Sequence, residues 1–505
     1  MTNEINNLAE LPEGWVWVKL AEIIEKVPLT GKKLKQSEYQ EKGILPVIDQ
    51  GHLFIGGYTN KEDLKVCCEF PVIVFGDHTR VVKYVDFDFV AGADGVKVIE
   101  PQKAFYPKLF YYFVQMIQLP DKGYARHFQF LEKSLIPLPP LPEQHRIVAK
   151  IEELFTKLDA GVEALKKIKA QLKHYRQAVL KYAFEGKFTE EWRKAHRDEL
   201  EPPSVLLERI RKEMSLRGAE RRSKLTQRVI PSEARNLMEI ASPSAHNDSL
   251  PELPKGWIWT ELSNIAEFKN GINFTKHQKG DKGILTIDVL NMYSKGIFVD
   301  LNGLYRVNKP VNKEYLLKYG DVLFVRSSVK REGVGWTSAF KEVSEPITFC
   351  GFIIRARLQD RGILPEYITY FLRTDSAREL IVSKGSQVTI TNINQDSLGK
   401  TPVLLPPLPE QHKIVEEIER RFSVADEVEK VVEESLKQAE RLRQSILKKA
   451  FEGKLVPQDP SDEPAEKLME RVGLLREGMQ KTKSLSSKAR RRKNAQNSLI
   501  HHQRK

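Results

Sequence analysis

Two fifty-residue stretches of this chain align without a gap. Residues 138–187 read LPPLPEQHRIVAKIEELFTKLDAGVEALKKIKAQLKHYRQAVLKYAFEGK, and residues 405–454 read LPPLPEQHKIVEEIERRFSVADEVEKVVEESLKQAERLRQSILKKAFEGK. They are identical from Leu138 to His145 against Leu405 to His412, and from Ala183 to Lys187 against Ala450 to Lys454. Pro142 and Pro409 suit a first helical position, Glu143 and Glu410 complement the positive end of a helix dipole, and Gly186 and Gly453 supply a left-handed closing residue. In the first copy Ile147, Ile151, Leu154, Leu158, Gly161, Leu165, Ile168, Leu172, Tyr175, Val179 and Tyr182 advance by alternating steps of four and three, a coiled-coil seam. The second keeps a looser stripe of Ile414, Ile418, Phe422, Ala425, Val428, Val432, Leu436, Ala439, Leu442 and Ile446. Each helix would be a rod of roughly 65 Å. A rod with one apolar face is unstable alone in water, so the two helices are expected to pair.

The repeat extends to the rest of the chain. LPEGWVWVKLAEI at 11–23 matches LPKGWIWTELSNI at 253–265, with Trp15 and Trp17 against Trp257 and Trp259 as expected hydrophobic anchors at a domain edge. Short strand signals follow in both copies: 70–76, 81–87 and 95–101 ahead of a helix at 108–117, then 319–328 and 347–358 ahead of a helical stretch at 364–383. The expected organisation is a first globular domain (1–137), a first helix (138–187), a connector (188–252), a second domain (253–404), a second helix (405–454), and a Pro-rich strap with a basic tail (455–505). Two domains with one scaffold and divergent loops are what related readers of different ligands need.

Composition narrows the class. The formal charge of +13 is concentrated: from Arg471 onward there are 11 Lys or Arg against the single acid Glu477, so the first 470 residues carry only about +3. That tail reads as disordered, suited either to unspecific phosphate attraction or to a passive solubilising role. No apolar run is long enough to cross a bilayer and the N-terminus lacks a signal-peptide pattern, which points to a cytoplasmic protein without a membrane partner. Cys67, Cys68 and Cys350 fit a reducing compartment, the first two as buried strand thiols. There is no HExxH, no nucleotide-binding GxGxxG and no Walker A, since Gly399-Lys400-Thr401 has Asn394 where the first glycine belongs. Asp86 and Asp88, with Lys97, read as a solvated strand face rather than a metal nuclease site, and no Asn-Pro-Pro-aromatic sequence of an amino-methyltransferase is present. No metal site and no catalytic residue is expected.

The phrases LPPLPEQHRIV, AFEGK, GWVWVKL, EWRKAHRDELEPPSVLLERI and LVPQDPSDEPAEKL, with the order of domain, helix, second domain and second helix, resemble the specificity subunit of type I restriction-modification systems over nearly the whole chain. Only the irregular 210–248 connector departs from that pattern. The resemblance implies an α+β fold: two α/β target-recognition domains separated by two long antiparallel coiled-coil helices, with a pseudo-two-fold internal repeat. It further implies a non-catalytic subunit that binds double-stranded DNA and recruits two methyltransferase subunits and, for cleavage, restriction subunits. S-adenosylmethionine, ATP and Mg are expected on those partners, with no cofactor on this chain. Because the two domains differ in sequence, the expected target is bipartite and asymmetric.

Candidate readers lie in the polar loops. In the first domain they are Lys32, Lys33 and Lys35 for phosphates, then Asp77, His78, Thr79 and Arg80 in a strand-to-strand turn, then Arg126, His127 and Gln129. In the second they are Lys276 and His277, then Arg326, Ser327, Ser328, Lys330 and Arg331, then Gln387, Thr389, Thr391 and Asn392. The helix interface is expected at Ile147, Ile151, Leu154, Leu158, Leu165, Ile168, Leu172, Ile414, Ile418, Phe422, Val428, Val432, Leu442 and Ile446. Other readings the residues leave open are a fused methyltransferase-nuclease, the specificity subunit of a related non-type I system whose partner fuses methylation and cleavage, and a coiled-coil adaptor without DNA readout.

Overall fold

The computed structural model describes residues 10–196 except 121 and 124, most of 200–212, and 253–473 except 329–332, 342, 361 and 384–391. The 210–248 connector, apart from Lys212, and the basic tail beyond 473 lie outside the described residues. The chain forms two compact units, residues 1–165 with 433–505 and residues 166–432, so that each unit holds one sheet domain, the start of one long helix and the end of the other.

The first unit begins with β1 (Val16–Lys19), which pairs antiparallel with β10 (Leu135–Leu138), the first and last strands of the domain. Between them β2 (Ile24–Lys26), β9 (Val96–Pro101), β6 (Val72–Gly76) and β7 (Val82–Val85) form an antiparallel sheet in the order β2-β9-β6-β7. A second sheet, β3-β8-β4-β5, is built from β3 (Lys33–Leu34), β8 (Val90–Gly92), β4 (Leu45–Ile48) and β5 (Gly57–Thr59), with β8 parallel to both neighbours. Helices α1 (Pro107–Met116) and α2 (Phe128–Leu131) cover the core ahead of the long α3 (Leu141–Phe184), and α4 (Glu190–Ala195) follows it.

The second unit repeats the plan. Its end strands β11 (Ile258–Glu261) and β20 (Pro402–Leu405) pair, and the sheet β12-β19-β16-β17 copies the first domain's antiparallel sheet through β12 (Ala266–Asn270), β16 (Val322–Val325), β17 (Thr337–Ala339) and β19 (Ile353–Leu358). The other sheet runs β13 (Lys279–Gly280), β15 (Tyr305–Val307), β14 (Ile284–Ile287), β18 (Ile347–Phe349), with β14 parallel to β18 as β4 is to β8. Helices α5 (Pro365–Leu372), α6 (Asp375–Ser383) and α7 (Gln395–Gly399) precede the long α8 (Leu408–Phe451). The 347–358 stretch is thus two strands broken at Cys350–Phe352, and 364–383 is two helices. Asn394, the residue that spoils the Walker pattern, caps α7 by accepting the Ser397 N–H at 2.7 Å.

The repeated phrases turn out to be three sides of one contact. In the first unit the indole N–H of Trp15 donates to Glu143 Oε2 at 2.9 Å, Gln144 accepts the Tyr106 N–H at 2.6 Å just before α1, and Gln144 Nε2 donates to the Ala104 and Pro139 carbonyls. Phe451, from the second AFEGK, packs on Trp17 and Phe113. The second unit does the same with Trp257 on Glu410 at 2.8 Å, Gln411 on the Leu364 N–H at 2.8 Å just before α5, and Phe184 between Tyr367 and Phe371. Gly186 (φ +69°) and Gly453 (φ +68°) end the long helices in the left-handed conformation, each close against the tryptophan of this node. Glu143 and Glu410 do more than face a helix dipole: they are buried acceptors holding a domain edge to a helix start.

The two nodes differ in charge balance. Glu410 also accepts from Thr189 Oγ1 at 2.7 Å and Arg193 Nε at 2.8 Å, whereas Glu143 Oε1 is buried without a hydrogen-bond partner among the described residues. Burial pushes the Glu143 carboxyl above its usual range, with the Trp15 bond and Arg146 opposing. An acid with a raised folded pKa contributes stability that is full below its unfolded value and lost as pH rises through the folded one. Glu143→Gln is therefore expected to be at least as stable as the wild type at pH 7, with the difference shrinking towards about pH 4. Chemical denaturation across that range checks it, and a wild-type advantage at pH 7 would contradict it.

The long helices pair antiparallel within each unit, but not as a continuous seam. Near the domains Ile147, Val148, Ile151 and Phe155 are buried in one core with Ile446, Leu447 and Ala450, and Val179, Leu180, Ala183 and Phe184 are buried in the other with Ile414, Val415 and Ile418. Leu154 and Phe422 pack at the edges of those cores. Leu158, Leu165 and Leu172 are half-buried and Val432 is buried. Ile168 (38 % exposed), Val428 and Leu442 (48 % exposed) are corrections: they lie at the surface. A helix that meets a domain and a second helix at once needs an apolar arc wider than a coiled-coil stripe, while farther along ion pairs join the helices, Arg443 with Asp159 in one unit and Arg176 with Asp426 and Glu429 in the other. Gly161 sits in unbroken helix with open space where a Cβ would be. Gly161→Ala should then stabilise by about 1 kcal/mol, measured as a higher denaturation midpoint.

Cys67 and Cys68 also differ from expectation: Cys67 is exposed, Cys68 half-buried, and neither is in a strand, because Val66 takes the core position. Cys350 is buried, and burial pushes its thiol up to about 12.

Candidate nucleic-acid interface

In the first domain the β6–β7 turn, the segment ahead of α2 and the loop after β4 are hydrogen-bonded into one edge. The Thr79 hydroxyl donates to the Gln50 carbonyl at 2.6 Å, the His78 N–H to Gln50 Oε1 at 3.3 Å, and His78 Nδ1 lies 3.2 Å from the Ala125 carbonyl. Gly95 passes so close to Gln50 and His78 that a Cβ there would collide with both. Arg80, at φ +63°, and Thr79 are exposed at the tip, with Arg126 and Gln129 exposed beside them. The edge therefore gathers His78, Thr79, Arg80, Arg126 and Gln129 from positions some 50 residues apart.

Asp77 and His127 are corrections. Asp77 is 3 % exposed, its carboxylate accepts the Phe128 N–H at 2.8 Å, and its carbonyl faces His127, which is fully buried, at 3.0 Å. A carboxylate and an imidazole on polar loops look like base readers in sequence, but here they tie the α2 segment to the turn, leaving no edge for DNA. Lys33 reaches a cleft of about 360 Å³ shared with Lys26, Lys97 and Phe128, on the same α2 segment. Lys32 instead donates to the Asp63 carbonyl, and Lys35 leads into a 3-10 turn at Gln36–Glu38.

The second domain assembles its edge from the equivalent places. Arg326 donates its N–H to the Phe352 carbonyl at 2.8 Å and Nη1 to the Gly351 carbonyl at 3.5 Å, and its own carbonyl accepts the Ile393 N–H at 3.1 Å. Ser327 forms a β-bridge with Asn392, so two separate candidate groups meet, and Ser328 follows half-buried. Ile272 bridges to Cys350 beside the same turn, and Lys276 and His277 stand exposed on the 3-10 turn that follows. Lys330, Arg331, Gln387, Thr389 and Thr391 lie outside the described residues.

Sequence reasoning missed the parts that hold and flank these edges. Lys83 is buried, donates to the Leu53 carbonyl at 2.6 Å and lies 3.4 Å from Asp49; burial lowers its pKa and Asp49 opposes that. It fixes the loop after β4, whose DQGHLFIGG sequence, glycines around an apolar tip, was the available signal. In the second domain Arg373, held at about 10 by burial, stacks on Trp336 and donates to the Thr337 and Gly296 carbonyls. Among the described residues no group of His, Cys, Asp and Glu could hold a metal ion, and no helix is long and apolar enough to cross a membrane.

Two domains that share the order of their antiparallel sheet, each presenting cationic and amide side chains from loops fixed by a buried frame, have the geometry of a paired reader of nucleic acid. The profile described as "Type I restriction modification DNA specificity domain" matches residues 12–174 and again 254–438, and the chain belongs to that family. Its relatives include the type I restriction enzyme EcoKI specificity subunit of Escherichia coli (strain K12), 26 % identical over 90 % of this chain and 92 % of that one. The StySPI specificity subunit of Salmonella potsdam is 26 % identical over 91 % and 93 %. A chain solved in work on complex assembly and conformational transition of the type I R-M system has the same fold, with a TM-score of 0.55 and 18 % identity over 88 % of this chain and all of that one. The expected fold class and the non-catalytic specificity function agree with this membership.

Proposed function

We propose that this chain reads a bipartite, asymmetric DNA target, one half-site per sheet domain, for methyltransferase and restriction subunits that carry the chemistry. The observation that supports it best is the pairing of equivalent frames with unlike side chains: His78, Thr79 and Arg80 on the β6–β7 turn, against Arg326 and Ser327 with Asn392 at the start of the β16–β17 connection. Equal frames approach a duplex alike, while unequal side chains select unequal bases. Two methyltransferase subunits bring S-adenosylmethionine, the restriction subunits bring ATP and Mg, and the assembly works in the cytoplasm.

Methylome sequencing of a strain carrying this chain with its methyltransferase subunit tests the reading. A single split motif with two different halves is expected; a continuous motif, or none that depends on this chain, would refute it. Within that motif Arg80→Ala and Arg326→Ala should each cost about 1–3 kcal/mol of discrimination, confined to its own half-site. Competition binding with duplexes mutated in one half or the other measures this, and a loss spread evenly over all sequences would assign the arginine to phosphate instead.

A further inference from the structure

We infer that Leu53 and Leu290 are specificity-determining residues, each packing on the 5-methyl group of a thymine in the major groove of its own half-site. The inference rests on the recognition function proposed above. A single exposed leucine calls for no explanation, but these two recur at one place in the fold. Leu53 is 75 % exposed on the loop after β4, and Leu290 is 83 % exposed on the loop after β14, the equivalent strand of the second domain. Each has an exposed ring nearby, Phe54 in one loop and Tyr293 in the other.

Neither loop is slack. The Leu53 carbonyl is held by buried Lys83, and the loop is fastened to the reading turn through the Gln50 contacts with His78 and Thr79. Around Leu290, Asp288 caps a 3-10 turn by accepting the Val289 N–H at 2.8 Å, and Trp336 Nε1 and the Ser338 hydroxyl, from the β17 side of the reading connection, both donate to the Met292 carbonyl. In both domains the backbone that carries the apolar prong is thus hydrogen-bonded to the connection that bears polar readers, at the reading turn itself in the first and at the β17 end in the second. What such a prong can recognise follows from the groove. Polar readers of the Arg, His, Ser and Asn type are rewarded in the major groove, and its only apolar feature is the thymine methyl.

The test uses the full chain assembled with its methyltransferase subunit and a duplex carrying the target identified by methylome sequencing, with thymines replaced singly by uracil, which removes only the methyl. Uracil at one thymine of each half-site should weaken binding about fourfold, the effect of one buried methyl-sized group. Leu53→Ala should give a comparable loss in the first half-site and abolish its sensitivity to uracil, leaving the second half-site unchanged, and Leu290→Ala the reverse. Wild-type binding indifferent to every uracil, or an alanine variant as uracil-sensitive as the wild type, would overturn the inference. So would a variant that weakens assembly with the methyltransferase in the absence of DNA, which would make the prong a protein contact. A complex that binds the target specifically while failing these tests leaves the recognition function standing; one with no preferred duplex removes both.

Discussion

Glu410→Ala is expected to cost about 3–5 kcal/mol of stability, because it strips the shared carboxylate from a buried node and leaves the Arg193 guanidinium, the Trp257 indole N–H and the Thr189 hydroxyl facing an empty site. The matching change in the first unit should be milder. Glu143 carries the equivalent bond from Trp15 but, among the described residues, neither a cation nor a hydroxyl bonded to its carboxylate and no partner for its other oxygen, so Glu143→Ala should cost about 1–2 kcal/mol. Urea denaturation of the two variants side by side measures the difference. Equal losses would mean that Arg193 adds nothing to the node. The contrast has a source in the straps: after α3 the chain supplies Thr189 and Arg193, while after α8 it supplies Asp462, which pairs with Arg146 at 2.6 Å and leaves Glu143 aside.

Exchanging the first sheet domain for that of another specificity subunit should replace one half of the target and leave the other half as it was. The junctions follow from the fold. Since β1 and β10 pair through Val16↔Leu138 to Lys19↔Leu135, both must be transferred together, with the cuts placed in the phrases LPEGW and LPPLPEQH, which the second unit repeats almost unchanged. Trp15, Glu143 and Gln144 then remain to receive the new domain. The chimera should lose the original half-site by roughly 10³-fold or more, the margin separating specific from unspecific binding, and gain the donor's. Methylome sequencing reads both halves at once, and a change in both would show that the domains do not read independently.

The sequence by itself determined the duplication, the two long helices with their left-handed glycine ends, the strand-rich character of both domains and the family. These are properties of local pattern: a period, a terminator, a phrase met twice. That the phrases meet each other was decided only in three dimensions, because Trp15 and Glu143 are 128 positions apart and Trp257 and Glu410 are 153 apart, and neither spacing is a period. The helix stripe was read as one seam because both its ends and its middle are apolar at heptad spacing. Tertiary packing buried the ends against the domains and left Ile168, Val428 and Leu442 at the surface.

The reading edges divide in the same way. Polar loop residues could be found by type, and Arg80, Thr79, Arg326 and Asn392 do stand on the two edges. Side-chain type could not tell Arg80 from Asp77, three positions earlier, whose carboxylate is consumed by a backbone N–H of a segment some 50 residues on. Nor could it single out Leu53 and Leu290. A lone apolar residue in a loop is unremarkable in sequence, and only the fold shows both at the equivalent place, on backbone held by Lys83 in one domain and by Trp336 and Ser338 in the other. A hydrogen bond across the fold costs the sequence no local signature, so the residues that position a site are the ones a linear reading passes over.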